Sequence, residues 1–148
     1  ISWVKYSGLK GDKDYDLAMK YLPKGQCGVV SFGVKGGRKA AEAFMKELKL
    51  ASIETHVADA KTCCLHPASA THRQMNDDEL LACGVAPDLI RFSCGIENAE
   101  DLIEDIKQVC GSMKKMLYAL FCIIQFLLLK KSINLKKWQK KLLALLFH

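Results

Sequence analysis

The chain has 148 residues, half of them hydrophobic, and a formal net charge of +6, which predicts one domain with its own core. The charge is unevenly distributed, because residues 112–148 hold eight lysines and no acidic residue. Residues 1–111 therefore carry 22 − 8 = 14 basic and 16 acidic groups, a net charge of −2. A body this close to neutral lacks the basic surface typical of nucleic-acid binding, so no nucleic-acid partner is expected.

The seven cysteines favour a reducing, cytoplasmic location. They stand at positions 27, 63, 64, 83, 94, 110 and 122, without a CxxC pair, and most lie within apolar runs. This usage is typical of reduced thiols that serve as small core residues. Residues 1–11 also lack the apolar stretch of a signal peptide.

Hydrophobic periodicity predicts helices and strands that alternate along the chain. Helices are expected over residues 14–22, 38–49, 77–83 and 99–110, and strands over residues 28–34, 52–57, 62–65 and 89–94. Asn76 and Asn98 are the expected N-caps of the last two helices. In the helix over 38–49, Ala40, Ala41, Phe44, Met45 and Leu48 recur at intervals that give one buried face. The alternation predicts an α/β sandwich, a small sheet with helices packed against it.

One cation stands inside the last predicted strand. Arg91 lies between Ile90 and Phe92, and a guanidinium in such apolar surroundings is costly unless it meets an anion. A planar guanidinium suits bidentate binding of a substrate carboxylate better than lysine does. The alternative is a structural ion pair with an internal acid such as Asp59 or Glu97, and the pattern alone leaves both interpretations open.

Two further segments were weighed as sites. The loop over residues 66–72 contains two histidines, but no helical i, i+4 pair or cysteine partner, so a turn fixed by Pro67 is favoured over a metal site. The Gly-rich segment over residues 33–37 lacks a nucleotide-binding fingerprint. A tight strand-to-helix turn is favoured there over a phosphate cradle.

The tail over residues 111–148 differs in composition from everything before it. Residues 116–129 are nearly all apolar, but fourteen residues fall short of the roughly twenty that span a bilayer. In residues 135–146, leucines and Trp138 share one side of a helical wheel and four lysines share the other. This predicts a helical tail that binds a membrane surface or a partner, with sequence lacking a selected function as the alternative.

Six ordered blocks of residues 1–110 resemble the cystathionine γ-synthase-like family of pyridoxal-phosphate enzymes of Cys and Met metabolism. Within the family they are most similar to the O-acetylhomoserine sulfhydrylases, also called O-acetylhomoserine aminocarboxypropyltransferases. The blocks lie at residues 3–9, 21–25, 34–37, 58–62, 66–72 and 89–97. The last two blocks, HPASATH and LIRFSCGIE, are the strongest matches to the family.

The resemblance implies the small C-terminal α/β sandwich domain of the type I aminotransferase-like fold, over residues 1–110. It implies that Arg91 binds the α-carboxylate of an O-acetylhomoserine-type substrate, with position 56 approaching the substrate and Thr71 lining the entrance. His56 departs from the Ser or Asn usual at its position. The implied reaction is transsulfuration in methionine biosynthesis, a transferase step that exchanges the γ-substituent for sulfide or a thiol with pyridoxal 5'-phosphate as cofactor.

The resemblance also implies parts that this sequence does not contain. The family's large domain, with the Schiff-base lysine and the cofactor-binding groups, would precede residue 1, and the tail over residues 111–148 lies outside the family pattern. No residue here is therefore expected to be catalytic or to bind the cofactor or a metal. We expect a fragment that is inactive alone and that needs the large domain or homo-oligomer subunits as partners. The alternative is a non-catalytic membrane-surface or protein-interaction chain that uses the cationic tail over residues 112–148.

Overall fold

The computed structural model describes residues 1–111 of the chain. The strands are β1 (Trp3–Lys5), β2 (Val29–Gly33), β3 (Ser52–Ile53), β4 (Cys63–Leu65) and β5 (Leu89–Ser93). The helices are α1 (Tyr15–Tyr21), α2 (Gly37–Glu47), α3 (Asp77–Ala82) and α4 (Ala99–Gly111), and a short 3-10 turn spans Pro67–Ser69. Strands and helices alternate as predicted, which confirms the α/β class.

The five strands form one sheet in the order β1-β2-β5-β4-β3. All neighbours are antiparallel except β3 and β4, which run parallel. The register aligns Lys5, Ser31, Arg91 and Leu65 in one row across four strands. Residues directly opposite one another share a face of the sheet, so these four positions belong to the same face.

The opposite face of the sheet packs against α2 and α4 and forms the core. Phe32 and Phe92 are fully buried there, and the Phe32 ring meets Phe44 of α2 edge to face at 5.6 Å between centroids. Alternation along each strand puts neighbouring side chains on opposite faces. Because Phe92 faces the helices, Arg91 beside it in sequence faces away from them. The helix faces that complete the core are Ala41, Phe44 and Met45 of α2 and Leu102, Ile103, Ile106 and Val109 of α4.

Several predicted boundaries were wrong. The strand predicted over 52–57 ends at Ile53, because the chain then leaves the sheet as a loop. The helix predicted over 38–49 ends at Glu47, since Leu48 adopts an extended conformation. Helix α1 forms where predicted but buries none of its residues. The predicted burial of Cys110 and the predictions for the tail over residues 112–148 lie outside what the structure describes.

The cysteine prediction holds in part for the described residues. Cys63, Cys64 and Cys94 are free, buried thiols, whereas Cys27 and Cys83 are free but exposed. Burial raises the pKa of Cys64 far above the usual thiol value, so it behaves as a small apolar side chain. Within residues 1–111 no helix combines the length and the hydropathy needed to cross a bilayer.

Candidate functional site

Arg91 lies at the centre of the sheet, on the central strand β5, and its side chain is only partly exposed. Its guanidinium reaches the loop that joins β3 to β4, residues 54–62. Nη2 donates to the carbonyl oxygens of Thr55 at 2.5 Å and of His56 at 3.2 Å. The two carbonyls hold one end of the guanidinium in a fixed direction without neutralising its charge.

The remaining donors of Arg91 are not used within the described residues. Its Nε–H is buried and has no hydrogen-bond partner there. A buried donor left unsatisfied costs about 1–3 kcal/mol, and more when the group is charged. The cost disappears if an external acceptor approaches, and a carboxylate can accept two parallel bonds from a guanidinium.

The structural ion pair considered for Arg91 is not formed. Glu97 instead accepts from the backbone N–H of Thr62 at 2.6 Å and from its hydroxyl at 2.7 Å. Burial alone would raise the pKa of Glu97, but these hydrogen bonds outweigh it and lower the pKa. Asp59 accepts from the Lys61 N–H at 3.0 Å. Among residues 1–111 no carboxylate forms an ion pair with Arg91.

The β3–β4 loop is anchored to the sheet by backbone contacts. The N–H of Ala58 donates to the Ser93 hydroxyl at 3.0 Å, and the N–H of Ile96 donates to the Ala60 carbonyl at 2.9 Å. Ala58 has a φ of +58°, a left-handed conformation that costs an L-residue with a side chain roughly 1–2 kcal/mol. The anchors keep the carbonyls of the loop directed at Arg91.

The structure places the other two predicted substrate residues differently. His56 lies beside Arg91, but through its backbone carbonyl, while its ring sits 3.1 Å from Glu54 Oε2. Thr71 is exposed on the turn after Pro67–Ser69, and its hydroxyl lies 2.9 Å from Nδ1 of His72. No hydrogen bond links Thr71 to Arg91.

His66, the first of the two histidines in the 66–72 loop, is structural. His66 is 2% exposed, with Nε2 at 2.9 Å from the Pro87 carbonyl and Nδ1 at 2.8 Å from the Ser69 hydroxyl. Since a carbonyl can only accept, Nε2 carries the hydrogen and Nδ1 accepts from Ser69. Both ring nitrogens are thus engaged. No group of three His, Cys, Asp or Glu side chains within residues 1–111 could hold a metal ion.

The glycine segment is a tight turn, as favoured. Gly36 and Gly37 have φ values of +109° and +68°, which glycine adopts without steric cost. The cation that follows, Arg38, donates to Asp77 and to the carbonyls of Ala68 and Met75. It ties the 66–76 segment to α2 and is not available to a phosphate.

An apolar cavity of about 250 Å³ lies between α2 and the end of β4. Met45 and Lys46 line one side, and Leu65 and Ser69 line the other. Arg91 is not among its lining residues, so the cavity is separate from the candidate site.

Comparison with known proteins identifies the family. The sequence pattern described as "Cys/Met metabolism PLP-dependent enzyme" matches residues 1–110. The chain belongs to this family of Cys/Met metabolism PLP-dependent enzymes. An O-acetyl-L-homoserine sulfhydrylase of Leptospira meyeri is 41% identical over 109 residues, 73% of this chain and 25% of that protein. A homocysteine synthase of Schizosaccharomyces pombe is 44% identical over 108 residues, again 73% of this chain and 25% of the relative.

Solved structures agree with the sequence relatives. An O-acetylhomoserine (thiol)-lyase of Campylobacter jejuni, crystallised with N'-pyridoxyl-lysine-5'-monophosphate, superposes with a TM-score of 0.65 at 34% identity. The match covers 73% of this chain and 26% of that one. The chain spans about a quarter of the length of the relatives it matches.

Enzymes of the Cys/Met metabolism PLP-dependent family use pyridoxal phosphate. Its phosphate needs several free donors, and its aldehyde needs a lysine beside them. Arg38, at the start of α2, is committed to Asp77 and to the carbonyls of Ala68 and Met75, so it offers no free donor to a phosphate. Arg38 therefore does not fit the cofactor phosphate.

Part of the site could not have been found from side-chain patterns. The groups that orient Arg91 are backbone carbonyls of Thr55 and His56, and a carbonyl leaves no residue-specific signal in a sequence. Ser93 carries a weak signal, because it is a hydroxyl in a strand whose other residues, apart from Arg91, are apolar. Its bond to Ala58 gives that hydroxyl its function.

Proposed function

We propose that residues 1–110 form the substrate-carboxylate-binding domain of an enzyme that replaces the γ-substituent of O-acetylhomoserine with sulfide or a thiol. In this reaction the Cγ–O bond breaks, a Cγ–S bond forms, and acetate leaves, which yields homocysteine or, with methanethiol, methionine. When bound, pyridoxal phosphate supplies the electron sink for this chemistry. The names and functions of the relatives support the proposal.

The role proposed for Arg91 is to bind and orient the α-carboxylate. The supporting observation is a partly exposed guanidinium with a buried, unpartnered Nε–H and no ion pair among residues 1–111. Orientation of this kind contributes to catalysis by holding the reacting carbon in place, because positioning lowers the entropic part of the barrier. His56 would contribute its carbonyl, and Thr71 would line the entrance from its exposed turn.

The test is a titration of the full 148-residue chain with O-acetylhomoserine, in which the NMR signals of the arginine side chains report binding. The methyl ester of the same compound serves as the carboxylate-blocked ligand. We expect the acid to bind more tightly than the ester, and Arg91→Gln to remove that difference. One hydrogen bond to a charged partner contributes about 1.5–3 kcal/mol, so the loss of even one such bond corresponds to a roughly 10- to 150-fold loss of affinity.

Two variants complete the design. Arg73→Gln, at an exposed position, is the matched control and should bind the acid as the unaltered chain does. Arg91→Lys keeps the charge but loses the planar fork, so it should recover only part of the affinity. Equal binding of acid and ester by the unaltered chain, or unchanged binding by Arg91→Gln, would refute the proposed role.

A further inference from the structure

The side chain of His56 links two residues of the β3–β4 loop, Glu54 and Asp59, beside Arg91. Its Nδ1 lies 3.1 Å from Oε2 of Glu54 and 3.7 Å from Oδ2 of Asp59, so the ring is held between two carboxylates. The carbonyl of the same residue accepts from Nη2 of Arg91 at 3.2 Å. One residue thus connects a titratable cluster to the orientation of the guanidinium.

We propose that His56 is a positioning residue whose protonated ring, held by Glu54 and Asp59, fixes the loop carbonyls that orient Arg91. Loss of the ring proton loosens residues 54–57, while the bonds of Ala58 and Ala60 hold the rest of the loop on the sheet. The guanidinium then loses its fixed direction while keeping its charge. The role of this positioning in substrate binding rests on the proposed function of Arg91, but the positioning of Arg91 by His56 itself requires no substrate.

Electrostatics explains why the ring proton matters. An imidazolium between Glu54 and Asp59 attracts both carboxylates, whereas a neutral ring leaves two like charges close together. The side chains are substantially exposed, 64% for His56 and 44% for each carboxylate. Solvent therefore screens the interaction, and exposed ion pairs typically change an equilibrium only about two- to fivefold.

Two ionisable groups packed around the β3–β4 loop have shifted pKa values. On β4, burial and then the nearby Glu54 and Asp59 raise the pKa of the Cys63 thiol. After β5, Glu97 has a lowered pKa and stays ionised, since the hydrogen bonds from Thr62 outweigh its burial. Histidine is the side chain whose ordinary titration falls between about pH 5 and 8.

The chain permits a direct measurement of how well Arg91 is held. It contains three arginines, at positions 38, 73 and 91. Modification by a dicarbonyl reagent such as phenylglyoxal, quantified on peptides, reports the accessibility of each guanidinium. Arg73 is exposed and serves as an internal reference, because the ratio of Arg91 to Arg73 cancels the intrinsic pH dependence of the reagent.

In the unaltered chain we expect this ratio to rise between two- and fivefold from about pH 5.5 to about pH 8.5. In His56→Gln, whose side chain is neutral throughout, the ratio should be high and independent of pH. His56→Lys keeps a positive charge across the range, so its ratio should stay low. His72→Gln, the same change at a second histidine, is the matched control and should titrate as the unaltered chain does.

A ratio that does not change with pH in the unaltered chain would overturn the proposal, and so would an unaltered rise in His56→Gln. His56 is exposed, so its substitutions should leave the fold intact, and the circular dichroism spectrum of each variant checks this. No amino acid is present in the assay. A negative result in the modification assay would therefore leave the proposed carboxylate binding by Arg91 intact. A negative result in the titration with O-acetylhomoserine would leave the proposed positioning by His56 intact.

Discussion

The carboxylate of Asp105 joins α4 to the end of α2, and replacing it by asparagine tests what stabilises the fold. The side chain is buried, with 6% of the residue exposed. Its Oδ1 accepts from the Lys49 N–H at 2.8 Å and from Gln108 Nε2 at 3.0 Å. Its Oδ2 accepts from the N–H groups of Leu50 at 2.9 Å and Ala51 at 3.1 Å.

Asp105→Asn keeps the shape of the side chain but replaces one acceptor oxygen by a donor. Whichever way the amide is turned, its NH2 group faces two N–H donors, so two of the four hydrogen bonds are lost. Hydrogen bonds to a charged group contribute about 1.5–3 kcal/mol each, and partial access to water reduces their sum, so we expect a loss of roughly 3 kcal/mol. For a domain of this size that corresponds to a decrease in Tm of about 12–24 °C.

The effect should also depend on pH. Burial alone would raise the pKa of Asp105, but the hydrogen bonds from Lys49, Leu50 and Ala51 outweigh it and lower the pKa in the folded state. An aspartate in an unfolded chain titrates near about 3.9. The stabilisation is therefore complete above about pH 4 and is lost as the pH falls through the lower folded value. The difference in the free energy of unfolding between the unaltered chain and Asp105→Asn should therefore become smaller under those acidic conditions.

Urea unfolding followed by circular dichroism measures both effects. Asp101→Asn, the same chemical change at an exposed position of the same helix, is the control and should alter the free energy of unfolding by less than about 0.5 kcal/mol. The reasoning fails if Asp105→Asn costs no more than this control at pH 7, or if its cost does not shrink below pH 4.

Two further predictions follow from buried groups. Thr62 is fully buried, and its hydroxyl accepts from the Gly95 N–H at 2.9 Å and donates to Glu97 at 2.7 Å, so Thr62→Val should cost about 1–3 kcal/mol in urea unfolding by removing both hydrogen bonds. The exposed Thr55→Val is the control, and an equal cost for both would contradict the assignment. Burial raises the pKa of Cys64, so native labelling with iodoacetamide at pH 8 should modify the exposed Cys27 and spare Cys64. Equal labelling of the two would contradict it.

The parts of the fold that side-chain periodicity controls were predictable. The apolar spacing of α2 placed Phe44 and Met45 in the core, where the structure has them. Asn76 was predicted as an N-cap, and it forms a capping box with Glu79. These signals are local, because the residues that form each element also determine which face is buried.

The parts that depend on distant contacts were not predictable. The β-branched residues after Ser52 (Ile53, Thr55 and Val57) are compatible with a longer strand, but the loop is held out of the sheet by contacts with Ser93 and Arg91, which are 35 and 36 residues away in sequence. The row of sheet positions that contains Arg91 depends on how β5 pairs with β2, a strand about sixty residues earlier, and this pairing was not predicted. A charged residue within an apolar strand was a sequence signal that pointed to Arg91. The groups that accept its hydrogen bonds are backbone carbonyls, which leave no such signal.

Helix α1 has a consequence for the dynamics of the chain. None of its seven residues is buried, and Leu17 and Tyr21 are 58% and 66% exposed. Its stability is therefore not coupled to the packing of the sheet, since little apolar surface is shared between them. Amide protons of α1 should exchange with solvent through local fraying, long before global opening releases those of β2 and β5 at the centre of the sheet.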